Sequence, residues 1–318
     1  MENLHVRFGD VEILRGVTFQ LEPGKTLGVV GESGCGKTMT GLTLMGMLPP
    51  MARMEAGTLE IAGHDMRRAS ESEWRRRRGS DIAMVMQDPF TSLHPMIRVG
   101  EQIAEVLRVH RGMNKAAAAR EAVQLLDHVG VPDPENSALK FPHQMSGGQR
   151  QRVVIAAAFA TRPKVIVADE PTTALDVTLQ AQILRLLRQL QEEEGTAVML
   201  ITHDIGVVAA MADEVAVFYA GRIVEQGSAE AVLHHPAHPY TQALLAAVPQ
   251  PGQTRLQTIS GQPPRFGDLP VGCAFAPRCP HRFEKCDLDP GLMPAPNGAA
   301  SACWLVDPAP VPTTSSST

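Results

Sequence analysis

Apolar and polar residues alternate from the start of the chain. "LHVRF" (4–8) and "EILRGVTFQL" (12–21) keep a period of two, and Gly9-Asp10 and Pro23-Gly24 interrupt them. That pattern predicts short antiparallel strands. The continuous apolar run "TLGVV" (26–30) predicts a buried strand, and apolar spacing from Met39 to Leu48 predicts a helix that stops at Pro49-Pro50. Strand-like pieces follow, "GTLEIAG" (57–63) and "DIAMVM" (81–86). From about 90 to 160 the period becomes helical. An alanine-rich amphipathic stretch covers Lys115 to Val129, with breaks at Pro132, Pro134 and Pro142. Strand and helix then alternate: "KVIVADE" (164–170), a long amphipathic helix from Val177 ending at Gly195, "AVMLITHD" (197–204) and "EVAVFYAGRIVEQG" (214–227). Such alternation predicts an α/β fold whose mainly parallel sheet is covered on both faces. It would carry an N-terminal antiparallel β subdomain and a helical insertion. Beyond about residue 234 the chain turns to Pro, His and Gly, and the final "DPAPVPTTSSST" cannot build a core, which predicts disorder over 307–318.

Composition narrows the function. The chain has 318 residues, 44% hydrophobic and 20% charged, with net charge −5, so a sizeable core fits and a dedicated nucleic-acid binder does not. The basic run Trp74–Arg78 sits beside Glu71 and Glu73 and reads as a solvated helix face. Met1 is followed by "ENLHVRF", without the basic start and apolar core of a signal peptide. The longest apolar run, "VVIAAAFA" (153–160), is far short of the roughly 18 residues of a membrane span. These features predict a soluble, cytosolic protein, in which clustered thiols serve as metal ligands more often than as disulfides.

"GESGCGKT", Gly31 to Thr38, fits G-x-x-x-x-G-K-[ST] between a strand and a helix. Gly31, Ser33, Gly34, Cys35 and Gly36 would turn backbone N–H groups toward phosphate, and the helix N-terminus would add its positive end. Lys37 would reach the β- and γ-phosphates and the Thr38 hydroxyl would ligate Mg²⁺. That helix end could depress the Cys35 pKa, although an inert loop position is the simpler reading. "VIVADE" delivers Asp169 and Glu170 to the end of a buried strand, which suits Mg²⁺ coordination and the polarising of an attacking water. "MSGGQRQR" makes a second anion site from Ser146, Gly147 and Gly148 at a helix start.

In order and spacing these motifs resemble the ATP-binding cassette ATPases of ABC transporters. "GESGCGKT" is followed by Gln87 in "VMQDP", the signature "MSGGQ", "VIVADEP", "TTALD" and His203 in "LITHD". The resemblance covers residues 1 to about 228, with the helical subdomain at 90–160; one departure is Met145, where leucine is usual. It implies an ABC-type P-loop NTPase using ATP and Mg²⁺. Phe8 would stack on adenine, Gln87 would sense Mg²⁺ and water, Glu170 would be the general base, and His203 would contact the γ-phosphate. Thr38, Gln87 and Asp169 would hold Mg²⁺. Ser146, Gly147, Gly148, Gln149 and Asp176 would act in trans on ATP held by a second ATPase subunit.

"MQDPFTSLHPMIRVGEQIAEVL", "HPAHPYTQALLAAVP" and "ISGQPPRFGDLPVGCAFAPRCPHRFEKC" look like the dipeptide and oligopeptide importers, a subfamily that includes nickel and glutathione importers. The likeness implies a small Cys-rich C-terminal extension over 229–306, a D-type subunit pairing with an F-type one, two membrane permeases and an extracytoplasmic binding protein. The place of action would be the cytoplasmic face of the inner membrane. A soluble cassette acting on nucleic acid or ribosomes is the remote alternative, disfavoured by one cassette and an acidic balance. Cys273, Cys279, Cys286 and Cys303 are spaced C-x5-C-x6-C-x16-C. That spacing suits a four-thiolate metal site without matching a zinc ribbon or a common ferredoxin pattern. The resemblance points to a [4Fe–4S] cluster, with Zn²⁺ as the alternative. His234, His235, His238 and His281 are candidate substitute ligands, although surface loop histidines are the simpler reading.

Overall fold

The computed structural model describes residues 1–173, 175–248 and 258–307. Strands β1 (Leu4–Phe8) and β2 (Val11–Val17) form the expected antiparallel hairpin, β3 (Thr26–Val30) is buried throughout, and α1 runs over Lys37–Leu44. The helix stops short of Leu48 because Met45 caps it and Gly46 turns left-handed at φ +60°. Next come β4 (Ala52–Glu55), which pairs with β1, and the two-residue strands β5 (Glu60–Ile61) and β6 (His64–Asp65). The basic run lies on α2 (Glu71–Arg77), started by a Ser70–Glu73 capping box. Its face is not uniformly solvated: Trp74 is buried, and the Arg78 guanidinium donates to the backbone oxygens of Met45 and Gly46.

After β7 (Ile82–Val85) the chain is helical, as its periodicity predicts. The helices are α3 (Pro89–Ser92), α4 (Val99–Arg111), α5 (Lys115–His128), α6 (Pro134–Ala138) and α7 (Gly147–Phe159). Val99, Ile103, Leu107, Ala118, Ala122 and Leu126 pack into one core with Val153 and Ile155 of α7. The alternation resumes with β8 (Val165–Asp169), α8 (Val177–Glu194), β9 (Ala197–Ile201), α9 (Ile205–Met211), β10 (Glu214–Tyr219) and β11 (Arg222–Ser228). Gly195 ends α8 in the left-handed conformation, as its position suggests. Then come α10 (Ala229–His234), α11 (Pro239–Ala246), and the short strands β12 (Met293–Pro294) and β13 (Ala300–Ser301).

The central sheet runs β12-β13-β11-β10-β3-β9-β8-β7. Five neighbours, β10, β3, β9, β8 and β7, are mutually parallel, and β11, β13 and β12 extend the sheet antiparallel at one edge. Residues after 234 therefore belong to the same sheet, a feature the Pro-rich composition hides. Residues 308–318, most of the stretch expected to be disordered, lie outside the described residues. Among the described residues no helix is long and apolar enough to cross a membrane.

The extension is held by buried aromatic and polar groups together. Tyr219 of β10 packs against Tyr240 and Phe275, with ring centroids 4.6 and 5.4 Å away. Such pairs add about 0.5–1.5 kcal/mol each beyond the area they bury. The buried Glu225 carboxylate accepts the backbone N–H groups of Ala237 and His238 at 2.7 and 3.0 Å. His238 corrects the surface-histidine reading, since it is only 1% exposed. Its Nδ1 accepts the Tyr240 N–H at 3.0 Å and caps α11, which leaves the proton of the neutral ring on Nε2. Burial pushes its pKa down to about 4, against a small opposing effect of the Ala302 backbone.

The folded pKa is depressed below the unfolded value near 6.5, so the unfolded chain binds more protons between those limits. Stability is therefore complete above pH 6.5 and is lost as pH falls toward 4, by up to about 3 kcal/mol from this ring alone. His238→Asn keeps a capping acceptor and removes the titration. In denaturant melts at pH 7 and pH 5 the variant should lose less stability on acidification than the natural chain; parallel losses would contradict the assignment.

Candidate functional site

Four adjacent parallel strands end at one edge, and each delivers a motif there. In register, Val29 of β3 lies opposite Ile201 of β9, Ile201 opposite Asp169 of β8, and Ala168 opposite Val85 of β7. Just past those ends come Gly31, His203, Glu170 and Gln87.

The loop 31–38 wraps back on itself before α1. Gly31 has φ +148°, and a Cβ there would lie 2.2 Å from the Phe218 carbonyl oxygen, so only glycine fits. Lys37 is buried, and its Nζ donates to the backbone oxygens of Gly31 at 2.7 Å and Glu32 at 3.1 Å. The loop is thus closed by its own lysine. The Cys35 thiol is buried and its pKa is raised by that burial, against the pull of Lys37. That burial works against a helix-activated thiol.

Beside the loop, Thr38 Oγ1 donates to Asp169 Oδ1 at 3.4 Å. Burial raises the Asp169 pKa, partly offset by that hydrogen bond. Glu170 is the convergence point. Gln87 Nε2 donates to its Oε2 at 3.0 Å, and Thr173 Oγ1 donates to the same oxygen at 2.8 Å. His203 Nδ1 lies 2.9 Å from Oε1. Burial opposes ionisation of Glu170, but the hydrogen bonds from His203 and Thr173 outweigh it and hold its pKa below the ordinary value. An ionised carboxylate only accepts, so His203 Nδ1 carries the proton of this contact. Glu170 also has φ +47°, a left-handed conformation that costs a non-glycine residue energy.

Other expected residues stand apart from this cluster. Ser146 caps α7 and forms a reciprocal capping box with Gln149: Oγ accepts the Gln149 N–H at 3.3 Å, and Gln149 Oε1 accepts the Ser146 N–H at 3.1 Å. A Cβ on Gly148 would meet Leu179 of α8 at 2.4 Å, so this turn packs tightly on the next helix, whereas Gly147 is open. Met145 is buried where leucine is usual. Asp176 caps α8 through the Leu179 N–H at 2.9 Å. Phe8 is half-buried at the end of β1. Thr173 lies inside "TTALD" but was given no role by the sequence; its hydroxyl, three residues after Glu170, reaches the carboxylate only in the fold.

The four C-terminal cysteines do converge, on a narrow cleft that His238 and Trp304 also line. All four are free thiols. Burial raises Cys273, Cys279 and Cys303, the last to about 11, with the neighbouring thiols adding to the effect. Among the described residues, however, no three His, Cys, Asp or Glu side chains gather closely enough to hold a metal ion. A Zn²⁺ site, with bonds of about 2.3 Å, would need the sulfurs closer together than they stand.

Gly31→Ala should weaken nucleotide binding at least about tenfold, because the added carbon forces the loop off the Phe218 backbone. Titration with a fluorescent ATP analogue checks this, and unchanged affinity in a folded variant would contradict it.

Known proteins agree with this geometry. The ABC transporter family model matches residues 14–173, and the oligopeptide/dipeptide transporter C-terminal region matches 224–286. The dipeptide transport ATP-binding protein DppD of Bacillus subtilis is 46% identical over 96% of this chain and 94% of its own length. The oligopeptide transport ATP-binding protein OppD of Haemophilus influenzae is 45% identical over 96% of each. A solved dimeric ATP-binding cassette in a post-hydrolysis state, bound to ADP and Pi, superposes with a TM-score of 0.60 at 27% identity, covering 71% of this chain and 98% of that one. The fold, the strand-end site and these matches together place the chain in the ABC transporter family, as an ABC-type ATPase.

Proposed function

We propose that this chain is the ATP-hydrolysing motor subunit of an importer for dipeptides or oligopeptides. What carries the proposal is the Glu170 carboxylate, bonded by Gln87, Thr173 and His203 one residue from the Asp169–Thr38 pair. The peptide reading is supported by the likeness to DppD and OppD over nearly the whole chain.

In this reading the backbone of Gly31, Ser33, Gly34, Cys35 and Gly36 cradles the phosphates, and Phe8 stacks on adenine. ATP draws Lys37 off the Gly31 and Glu32 oxygens onto the phosphates. Thr38, Asp169 and Gln87 would hold Mg²⁺, which neutralises the charge that builds up on the transferred phosphoryl group. Glu170 orients a water for in-line attack and accepts its proton, while His203, held by Glu170 through Nδ1, would contact the γ-phosphate by donating from Nε2 when the ring is doubly protonated.

One chain makes half a site. Ser146, Gly147, Gly148 and Gln149 present a helix N-terminus, and with Asp176 they would meet ATP held by a second ATPase subunit, an F-type partner in the D-type arrangement. Closing this sandwich would move two permeases that receive peptide from an extracytoplasmic binding protein, with the ATPases peripheral on the cytoplasmic face of the inner membrane. Residues 1–228 would form the cassette, with its helical part at 90–160, and 229–306 the extension. Cys273, Cys279, Cys286 and Cys303 would hold a [4Fe–4S] cluster, which would crosslink the extension covalently.

Glu170→Gln should lower hydrolysis in the reconstituted importer by about 10²–10⁴-fold while MgATP still binds. Phosphate release and nucleotide titration read the two separately, and surviving hydrolysis would refute the base. For the cysteines, anaerobic purification should yield about four iron and four sulfide per chain. Zinc without sulfide, or neither metal, would refute the cluster.

A further inference from the structure

The C-terminal extension reaches back into the phosphate loop. Arg278, in the short turn Ala276–Arg278 just before Cys279, aims its guanidinium at Glu32, the second residue of "GESGCGKT". Nη1 lies 2.6 Å from one carboxylate oxygen and Nη2 2.9 Å from the other, a two-pronged fit. The Arg278 side chain is only 5% exposed. Its Nε donates to the Ser260 carbonyl at 2.9 Å, and its guanidinium lies 5.8 Å from the ring centres of both Tyr219 and Phe275. The same extension grips the Glu32 backbone: the buried Tyr240 hydroxyl accepts the Glu32 N–H at 2.9 Å.

Glu32 stands in a loop that must receive a polyanion, and a bare carboxylate there repels ATP. Arg278 cancels that charge within hydrogen-bonding distance, from a partly desolvated position where such pairs are screened least. Lys37 Nζ and the Cys35 N–H both bond to the Glu32 carbonyl, so the backbone at Glu32 is joined to the rest of the loop.

We propose that Arg278 is a positioning residue for the ATPase reaction: it neutralises Glu32 and, with Tyr240, fixes the phosphate loop, so that the C-terminal extension sets the affinity for ATP. This rests on the reading that residues 31–38 bind the phosphates. Because Cys279 follows Arg278 directly and Cys273 and Phe275 line the thiol cleft, anything that reshapes that cleft acts on the same turn.

The test uses the full chain in the assembled importer, with KM for MgATP and kcat measured for the natural protein, R278A, R278K, E32Q and both double variants. R278A should raise KM by about five- to twentyfold with kcat within about twofold, as expected for an uncancelled charge near the phosphates. R278K, which keeps the charge and loses the fork, should fall between. E32Q/R278A should bring KM back to within about twofold of the natural value, because no carboxylate is left to repel ATP. A purely structural Arg278 would leave the double variant as impaired as R278A; that result, or an unchanged KM in R278A, overturns the proposal. If R278A does not fold, R278K and E32Q/R278K carry the same comparison. A natural chain that fails to bind MgATP saturably would sink the loop assignment itself, a different failure.

Discussion

Parallel register between β3, β9, β8 and β7 is the constraint on which the rest of the structure depends. Hydrogen bonding places Val29, Ile201, Asp169 and the end of β7 at one level, so four segments far apart in sequence leave the sheet at the same edge. A one-residue slip in any pair would turn its side chains to the other face. The strands resist slipping because they are buried on both sides, with β3 and β9 enclosed along their whole length. Site geometry is thus inherited from core packing. Glu170 adds a local cost, a left-handed backbone, which its N–H bond to Ile201 at 2.8 Å and its three side-chain partners offset.

The same sheet continues into the extension. β13 pairs with β11 at Glu225 and Gln226, and Tyr219 on β10 anchors the aromatic cluster. The buried Glu225 carboxylate is compensated by two backbone N–H groups, and the buried His238 accepts one through Nδ1. Arg278 completes this layer and turns it toward the nucleotide edge. The extension therefore shares its packing with the ATP site.

Much of the site was legible in the sequence because its chemistry is local. A glycine loop between strand and helix, an acidic pair ending an apolar strand, and a serine before two glycines each declare a geometry within eight residues. The fold was legible for a related reason, since the period shifts at 90 and again near 160 mark the helical insertion. What stayed hidden depends on distant pairs. Nothing near His238 says that it is buried, and nothing near Arg278 points to Glu32, 246 positions away. The cysteine spacing suggested a metal centre, but spacing does not fix how close the sulfurs come, and the structure leaves them around a cleft. Gln149, in the capping box of Ser146, and Asp176, the cap of α8, start helices within their own chain, which a motif alone does not reveal.

The central claim is that this strand-end site hydrolyses ATP to move peptide. The most direct measurement is ATP hydrolysis by the full importer in proteoliposomes, comparing binding protein loaded with dipeptide to binding protein without it. The account predicts a rate that rises several-fold with loaded binding protein, accompanied by transfer of labelled peptide across the bilayer. Hydrolysis that ignores the peptide, with no label transferred, would contradict it.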